Sequence, residues 1–490
     1  MSARHNSLRA VLLPAVVVAM LLGACALKPT PGHDEIVAQA LPPSTRLPPA
    51  WKAGMGAAPV PAAWVATFKD PQLDAIVAEA IANNTNLRVA AARVEVAQQS
   101  VIVAGAGMLP QVGAQLGARS THDRDAGSAH GSTVGYVGVA WEIDVWGRLR
   151  AQRESASYGA QAAASDYAWA RESLAALVAK SWYLCIETRQ LLALSEQAVQ
   201  IYTELLKLVN VRRQAGRDSD LNVAVTTAKL DTARGSVEAA RRSYGEARRA
   251  LEMLLGRYPG AEIEVAAVFG LLPPPAGAGL PSSLLERRAD MVAAERVVFA
   301  AFRQQEAAEL ALLPSFGLAL TGGRFSDIVT SLLRMNPWLA SAAVGMSIPI
   351  YEGGALKAQV AIATAQQAEA VAHYGSVALN AFREVEDSLA NENLLAAQLP
   401  LDERALQARA DAVRIGTQQF VAGRQDLLWV AELQSAEIAS QDSLIRLRSA
   451  QRANRIRLYQ ALGGGFDATP VAAAPTSPPS PPSPPSPPSQ

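Results

Sequence analysis

The chain has 490 residues, of which 50% are hydrophobic and only 6% aromatic. A chain of this length can bury a large core, and its low aromatic content suits closely packed helices better than a β-sandwich. The formal net charge is zero, which disfavours a general nucleic-acid-binding protein, because binding to phosphates requires a surplus of basic residues.

The first residues predict an export signal. A short cationic start with Arg4 and Arg9 precedes an apolar stretch at 11–22 and then small residues up to Cys25. This order of segments is typical of a signal peptide, and we expect residues 1–24 to be removed. The alternative is an ordinary secretory signal that contains a cysteine by chance.

The motif Leu22-Gly23-Ala24-Cys25 resembles the lipobox of bacterial lipoproteins. The resemblance implies cleavage before Cys25, which then carries a diacylglycerol group and an N-acyl chain, and Ala26 in the next position points to the outer membrane. No stretch of about 18 apolar residues follows, so we expect any membrane crossing to be made by strands. Cys185 is left without a disulfide partner, and we interpret it as a buried apolar residue.

Short elements follow the leader. Residues 25–69 are rich in proline and alanine and predict an extended, lipid-anchored tether. A short helix is predicted at about 71–82. Asn84 or Asn86 is then a suitable cap for a second helix, which should run to about residue 108.

Four segments alternate apolar residues with small or polar ones, which is the period of a β-strand. We predict strands at about 111–119, 133–142, 315–322 and 340–348. They form one hairpin in each half of the chain, and we expect the polar loop of the first hairpin, 120–132, to be an exposed tip. The strand lengths suit a tilted membrane strand, and hairpins that pack in water are the alternative.

The second half of the chain repeats the first. The segment VGVAWEIDVWGRLRAQ at Val137 returns as VGMSIPIYEGGALKAQ at Val344, 207 residues later. Repetition at a constant offset indicates two homologous units. We predict the following organisation: a first repeat at 70–268, a linker at 269–283, a second repeat at 284–465 and a Pro/Ser tail at 466–490. We expect the tail to be a disordered spacer, and a ligand for a proline-binding domain is the alternative.

A long helix and a shorter return helix follow each hairpin. Alanine or leucine recurs at every seventh position from Ala156 to Leu205, a seam typical of a coiled coil. In the second copy, Pro400 predicts a kink or an interruption. Gly216 and Gly423 can adopt the left-handed conformation that ends a helix, so the long helices should turn there.

Four strands cannot close a barrel, and lipid does not tolerate an open sheet edge. If the hairpins lie in a membrane, several chains must therefore pool their strands, and the helices would continue the barrel as a tube. The alternative is a lipid-anchored periplasmic scaffold or adaptor without a pore. An adaptor would normally carry one helical hairpin, whereas this chain has two.

Three motifs make a family resemblance specific: WEIDVWGR at Trp141, GLPS at Gly279 followed by Arg287-Arg288, and PIYEGG at Pro349. Together with the repeated arms, they resemble the TolC-like outer membrane efflux protein family, and its lipoprotein branch in particular, over about residues 70–465. The resemblance implies a mainly α protomer with four transmembrane strands. Three such protomers would form a homotrimer with a 12-stranded β-barrel continued by a periplasmic α-helical barrel.

The same resemblance implies a function. The trimer would be a passive exit duct for small molecules such as drugs or toxic compounds, coupled to a periplasmic adaptor protein and an inner-membrane pump. The resemblance also places the adaptor-docking tips at the two helical turns: Ala215, Gly216, Arg217 and Leu221 in the first, and Phe420, Ala422, Gly423 and Arg424 in the second.

The family places carboxylates after the second tip glycine, where they ring the closed periplasmic entrance. In this chain Glu432 is the candidate for that ring, and Leu428 and Trp429 would narrow the passage. A solvated helix carboxylate is the alternative for Glu432, and packing between helices is the alternative for Trp429. Phe420 stands where the family often has a tyrosine.

Other constellations are weak. His33, His122, His130 and His373 lack the spacing of metal ligands. The sequence contains neither a glycine-rich phosphate loop nor a nucleophile elbow. We therefore predict no enzymatic activity, no metal site and no cofactor other than the lipid on Cys25.

Overall fold

The computed structural model describes residues 27–54, 63–123, 128–275, 277–326 and 339–465. The predicted signal peptide, Cys25, the Pro/Ser tail and most of the second hairpin loop lie outside these residues. The chain divides into two compact units. The sheet unit comprises Met1–Thr45, Ala91–Ser165 and Asp290–Val377, and the helical unit comprises Arg46–Ala90, Asp166–Ala289 and Ala378–Gln490.

Helices make up most of the described chain. They are α1 (His33–Ala40), α2 (Pro71–Asn83), α3 (Thr85–Ala106), α4 (Arg148–Gln214), α5 (Asp220–Leu254), α6 (Pro281–Arg287), α7 (Ala289–Leu310), α8 (Ala355–Val421) and α9 (Leu427–Ala461). The long helices α4 and α8 have 67 residues each, and the return helices α5 and α9 have 35 each. The long and return helices of the two halves therefore match in length, as the sequence repeat predicts. Within the described ranges, every helix is too short or too polar to cross a membrane.

Side-chain caps mark the starts of α2 and α3, and Asn84 is one of the two caps suggested for α3. Asp70 accepts hydrogen bonds from the backbone N–H groups of Gln72 and Leu73 and so caps α2. Asn84 caps α3, because its Oδ1 accepts from the N–H of Leu87 at 3.1 Å. Such caps satisfy backbone donors that have no partner within the helix.

The strands form one antiparallel sheet in the order β1-β2-β3-β4. Their bounds are β1 (Gln111–Asp123), β2 (Ser128–Ile143), β3 (Ser315–Ser326) and β4 (Leu339–Ser347). All four predicted strands are present. The first hairpin is longer than predicted, because its strands continue through most of 120–132, and the residues between them, 124–127, lie outside the described chain.

The strand register gives the sheet two chemically different faces. The apolar face carries Val112, Leu116, Val139, Leu318, Leu320, Val344 and Met346. The polar face carries Gln111, Gly113, Gln115, Gly138, Ala319, Thr321, Ser341 and Ala343. On the apolar face Leu116 is 81% exposed and Val344 is 78% exposed. A sheet in water would normally cover such a face, whereas a membrane strand presents it to lipid.

The N-terminal segment is not extended throughout, so the prediction of an extended tether is wrong for part of it. Residues 33–40 form α1, in which Ile36 is only 1% exposed. The carbonyl of Ala40 lies directly against Gly375 of α8. The buried side chain of Ile36 and the close contact of Ala40 with Gly375 therefore hold this segment in place. Its proline content had suggested an extended tether.

The later part of this segment is bound as well. Trp51 donates from Nε1 to the carbonyl of Ala278 at 3.1 Å. The N–H groups of Lys52 and Ala53 donate to the two carboxylate oxygens of Glu386 at 2.9 and 3.0 Å. These polar contacts connect residues far apart in sequence, so local propensity could not predict them.

Helix α8 continues through Pro400 without a break, so the predicted interruption is wrong. Proline removes one backbone N–H from the helical hydrogen bonds. Residue 400 is exposed, so water can satisfy the carbonyl that is left without a partner. One lost hydrogen bond is a small perturbation in a helix of 67 residues.

The predicted heptad seam of α4 is buried over only part of its length. Leu191, Ala198 and Leu205 are buried, whereas Leu177 and Leu184 are each 45% exposed. A straight α-helix has 3.6 residues per turn and drifts away from a strict seven-residue repeat by about 20° per heptad. The middle of α4 therefore buries neighbouring positions of the helix instead.

Those positions belong to the main core of the helical unit. Trp182, Tyr183, Cys185 and Ile186 of α4 pack there with Tyr459 of α9, among other residues. Cys185 is completely buried, as predicted, and burial raises the pKa of its thiol to about 12. This thiol therefore stays neutral and packs as a small apolar group.

Candidate functional site

The turn between α4 and α5 is a defined structure. Gly216 has a φ of 70°, its N–H donates to the carbonyl of Arg213 at 2.9 Å, and the N–H of Arg217 donates to the carbonyl of Arg212 at 2.8 Å. This pair of bonds is the Schellman motif, which requires a left-handed residue and strongly favours glycine. Ala215 and Arg217 are exposed on it, and Leu221 is 67% exposed.

Side chains fix the far side of the same turn. Ser219 caps α5 by accepting from the N–H of Asn222 at 3.3 Å. Asp218 accepts from the N–H of Ser219 at 2.9 Å and from the Asn222 amide at 2.6 Å, and its carboxylate lies 3.6 Å from Arg212. The first tip thus presents exposed residues on a well-ordered support.

The turn between α8 and α9 repeats this arrangement. Gly423 has a φ of 72°, and the N–H of Arg424 donates to the carbonyl of Gln419 at 2.9 Å. Asp426 caps α9 by accepting from the N–H of Trp429 at 2.8 Å. Ala422, Gly423 and Arg424 are exposed.

Phe420 differs from the other tip residues because it is only 5% exposed. The guanidinium of Arg212 lies 4.7 Å from the centre of its ring, a cation–π contact. The surrounding cluster contains residues of both helical hairpins: Tyr202, Leu205 and Val209 of α4, Leu230 of α5, and Leu427 and Val430 of α9. In this conformation Phe420 joins the two hairpins rather than presenting its ring to a partner.

The candidate gate residues lie just beyond the second turn. Glu432 of α9 forms an ion pair with Lys229 of α5 at 2.9 Å. The hydrogen bond from Lys229, together with its charge, lowers the pKa of Glu432, so this carboxylate is ionised at neutral pH. Sequence reasoning missed Lys229, since the two residues are 203 positions apart and no local pattern connects them.

Trp429 and Leu428 occupy the same turn of α9. Leu428 is half-buried, and Trp429 is 38% exposed. A Cβ atom at Gly416 of α8 would lie only 3.0 Å from Cζ3 of Trp429. Trp429 therefore packs one edge against α8 at a glycine and leaves the rest of its ring accessible.

The WEIDVWGR motif forms the junction between β2 and α4. Trp146 donates from Nε1 to the carbonyl of Pro314 at 2.7 Å. Asp144 accepts from the N–H groups of Leu149 and Arg150 at 3.1 and 3.0 Å and so caps α4. Gly147 adopts a φ of 88° between strand and helix. The motif thus fixes the position at which the sheet changes into the long helix.

The Arg287-Arg288 motif has a structural role in the helical unit. Arg288 is 2% exposed and donates to Glu384 at 2.9 Å and to the carbonyl of Ala461 at 3.0 Å. Its guanidinium also lies 4.7 Å from the centre of the Trp169 ring. This arginine therefore holds the C-terminal end of α9. Among the described residues, His, Cys, Asp and Glu do not cluster in threes that could hold a metal ion.

Comparison with known proteins identifies the class. The sequence profile described as "Outer membrane efflux protein" matches residues 76–257 and 280–464. The chain belongs to this family. It is thus an outer membrane efflux protein that extends into the periplasm, and the alternative of a periplasmic scaffold or adaptor is set aside.

Particular relatives agree with this assignment. The chain is 30% identical over 472 residues to the pyoverdine export outer membrane protein OpmQ of Pseudomonas aeruginosa, covering 93% of this chain and 97% of the relative. It is 29% identical over 481 residues to the toluene efflux pump outer membrane protein TtgC of Pseudomonas putida, covering 93% and 96%.

Solved structures show the same fold. A crystal structure of CusC matches with a TM-score of 0.79 and 24% identity, over 89% of this chain and 99% of that one. The open state of the Neisseria gonorrhoeae MtrE outer membrane channel matches with a TM-score of 0.79 and 23% identity, over 90% and 99%. The mainly α protomer with a small sheet is therefore a TolC-like channel fold.

Proposed function

We propose that three copies of this chain form a passive outer membrane duct for small molecules such as drugs or toxic compounds, driven by an inner-membrane pump through a periplasmic adaptor protein. The sheet is the observation that carries the proposal. Within the described residues, β1 and β4 each pair on one side only, and one face is apolar and exposed. Pooling four strands from each of three copies gives a 12-stranded barrel without open edges.

The duct needs no chemistry of its own. We propose that it acts neither as an enzyme nor with a cofactor, and that the pump selects the cargo. The functions of the two relatives, pyoverdine export and toluene efflux, concern chemically different compounds. Such a range favours a duct that contacts its cargo loosely, so we assign small molecules such as drugs or toxic compounds as a class.

We further propose that the periplasmic entrance is held closed by a tip latch, defined as Arg212, Phe420, Lys229 and Glu432. Both contacts of the latch join the first helical hairpin to the second. Opening would separate the hairpins and break both contacts. Leu428 and Trp429, beside the latch, would then line the widened passage.

The adaptor would bind the exposed part of the two tips. Ala215, Arg217, Leu221, Ala422 and Arg424 are accessible there, and the two Schellman turns hold their backbone in place. A preorganised surface loses little conformational entropy on binding. Docking at the turns would also bring the adaptor next to the tip latch.

We propose that Cys25 carries the lipid anchor. Only Ala26 separates it from Leu27, whose side chain lies 2.8 Å from the position of a Cβ atom at Gly147 in the β2–α4 junction. The acyl chains would therefore enter the membrane beside the end of the strands. Radioactive palmitate should label the wild-type chain, whereas Cys25→Ser should remain unlabelled.

The experiment that tests the duct is export in a bacterium that lacks its own efflux channels. The chain, expressed with its adaptor and pump, should restore resistance to a pump substrate. Leu221→Asp should abolish resistance, and it should weaken crosslinking of the channel to the adaptor. Leu271→Asp is the matched control, because Leu271 is 90% exposed and lies far from the tips in sequence. Failure of the wild-type chain to conduct ions or to restore export would refute the proposal.

A further inference from the structure

The polar face of the sheet carries an aromatic side chain, Tyr136, in a constrained position. Tyr136 of β2 lies opposite Gln115 of β1 and opposite Gly323 of β3. In a pooled barrel the apolar face contacts lipid, so the polar face lines the passage. Placing Tyr136 in the passage therefore rests on the proposed function.

Two glycines lie beside Tyr136. A Cβ atom at Gly138 would lie 3.6 Å from Cε2 of Tyr136 and 3.7 Å from its Cδ2, so the ring leans over the backbone of its own strand. A Cβ atom at Gly323 would collide with the Cβ of Tyr136. Any larger residue at Gly323 would therefore displace Tyr136. The strand β3 thus limits the positions that the Tyr136 side chain can occupy.

A hydrogen bond holds the other end of the ring. The hydroxyl of Tyr136 donates to Oε1 of Gln115 on the adjacent strand. The side chain is therefore fixed at both ends and leans across β1 and β2 instead of swinging into solvent. A ring held in this way keeps one face toward the sheet and presents the other to the passage.

The surroundings make this ring chemically distinct. The residues nearest to it in the register of the polar face carry no charge: Gln115, Gly138, Thr321, Leu339 and Ser341. The face of an aromatic ring attracts cations through its quadrupole, and quaternary ammonium groups bind such faces. Three copies would place three such rings at one level of the passage.

We propose that Tyr136, positioned by Gln115, is a contact site for organic cations that carry a quaternary ammonium group. The contact is weak, as suits a duct. An exposed cation–π contact corresponds to roughly a 2- to 5-fold change in binding. The site would slow such cations relative to inorganic ions of the same charge.

Block of single channels by phenyltrimethylammonium tests this proposal. Wild-type and variant channels are reconstituted in planar bilayers, and the concentration that halves the current is measured. Tyr136→Leu should raise this concentration about 2- to 5-fold. Tyr136→Phe, which keeps the ring and loses the hydrogen bond to Gln115, should raise it by less than Tyr136→Leu does. Should Tyr136→Leu fail to assemble, Tyr136→Gln, which suits the polar face, replaces it with the same expected result.

Val139→Leu is the matched control, because Val139 lies on the apolar face of the same strand. It should leave the block unchanged. Equal block in wild type and in the variants that lack the ring would overturn the role of Tyr136 while leaving the duct intact. Absence of any current from the wild-type protein would instead refute the proposed function.

Discussion

Replacing Phe420 by alanine tests the tip latch. Phe420 is 5% exposed and packs between the two helical hairpins, under the guanidinium of Arg212. Truncating a buried phenylalanine to alanine costs about 3–5 kcal/mol, because apolar contacts are lost and a cavity remains. If opening separates the hairpins, the closed state loses this stabilisation and the open state does not.

The expected change in channel opening follows from the lower end of this energy range. A loss of about 3 kcal/mol shifts the equilibrium between closed and open entrances by roughly 100-fold in each protomer, since 1.4 kcal/mol is a factor of ten. Single-channel recordings in planar bilayers should show larger conductance and a higher open probability for Phe420→Ala. Phe420→Tyr keeps the ring and should conduct as wild type does.

A second measurement separates gating from folding. Thermal unfolding of the purified trimer should show how much the substitution destabilises the protein as a whole. A Phe420→Ala trimer that unfolds earlier but conducts as wild type does would mean that the ring stabilises the fold without closing the entrance. That result would refute the latch.

Four further predictions concern charge and packing. Glu432→Gln should raise the conductance and weaken cation selectivity in planar bilayers, and Lys229→Met should also raise the conductance. Lys229 lowers the pKa of Glu432 below its ordinary value of 4.5, so the ion pair is intact at neutral pH. The pair is lost only as the pH falls through this lowered pKa. Wild-type conductance should therefore stay constant down to a pH of about 4.5 and rise only in more acidic solution. Arg455→Met should lower the free energy of unfolding by about 3–5 kcal/mol in a urea titration, because it leaves the buried carboxylate of Glu392 without the cation of Arg455, which is 2% exposed. In the same titration the control Arg383→Met should change it by less than about 1 kcal/mol, because the Arg383 side chain is 62% exposed in its pair with Asp387. Gly375→Val should displace α1 and speed proteolysis within 27–54 at least several-fold, because the new side chain would collide with the carbonyl of Ala40 and overpacking costs about 1–3 kcal/mol. Cleavage at the wild-type rate would contradict the packing of α1 against α8.

Sequence patterns predicted the regular elements well. Period-two alternation depends only on neighbouring residues, and it located all four strands. The left-handed turns at Gly216 and Gly423 were equally predictable, because a helix that ends before a glycine has few alternative geometries. Because the second half repeats the first, an element predicted in one half could also be predicted at the matching position of the other.

Contacts between distant segments were not predictable in this way. Proline content suggested a free tether, yet Glu386 binds the backbone of Lys52 and Ala53. Similarly, the rule that proline interrupts a helix considers only the neighbouring residues. Long helical segments on both sides of Pro400 keep α8 continuous. Lys229, the partner of Glu432, lies near it only because α5 and α9 come together in the folded chain, so no local pattern could identify this pair.

The central claim is that three copies of this chain pool their strands. Cysteines introduced into the two edge strands of the protomer, with Ala114→Cys in β1 and Ala342→Cys in β4 as the first pair and neighbouring positions as a panel, test it directly. Cys185 is buried and stays out of the reaction. Oxidation in intact outer membranes should give a ladder that ends at three linked chains, whereas monomers alone across the panel, or ladders that continue beyond three, would contradict the account.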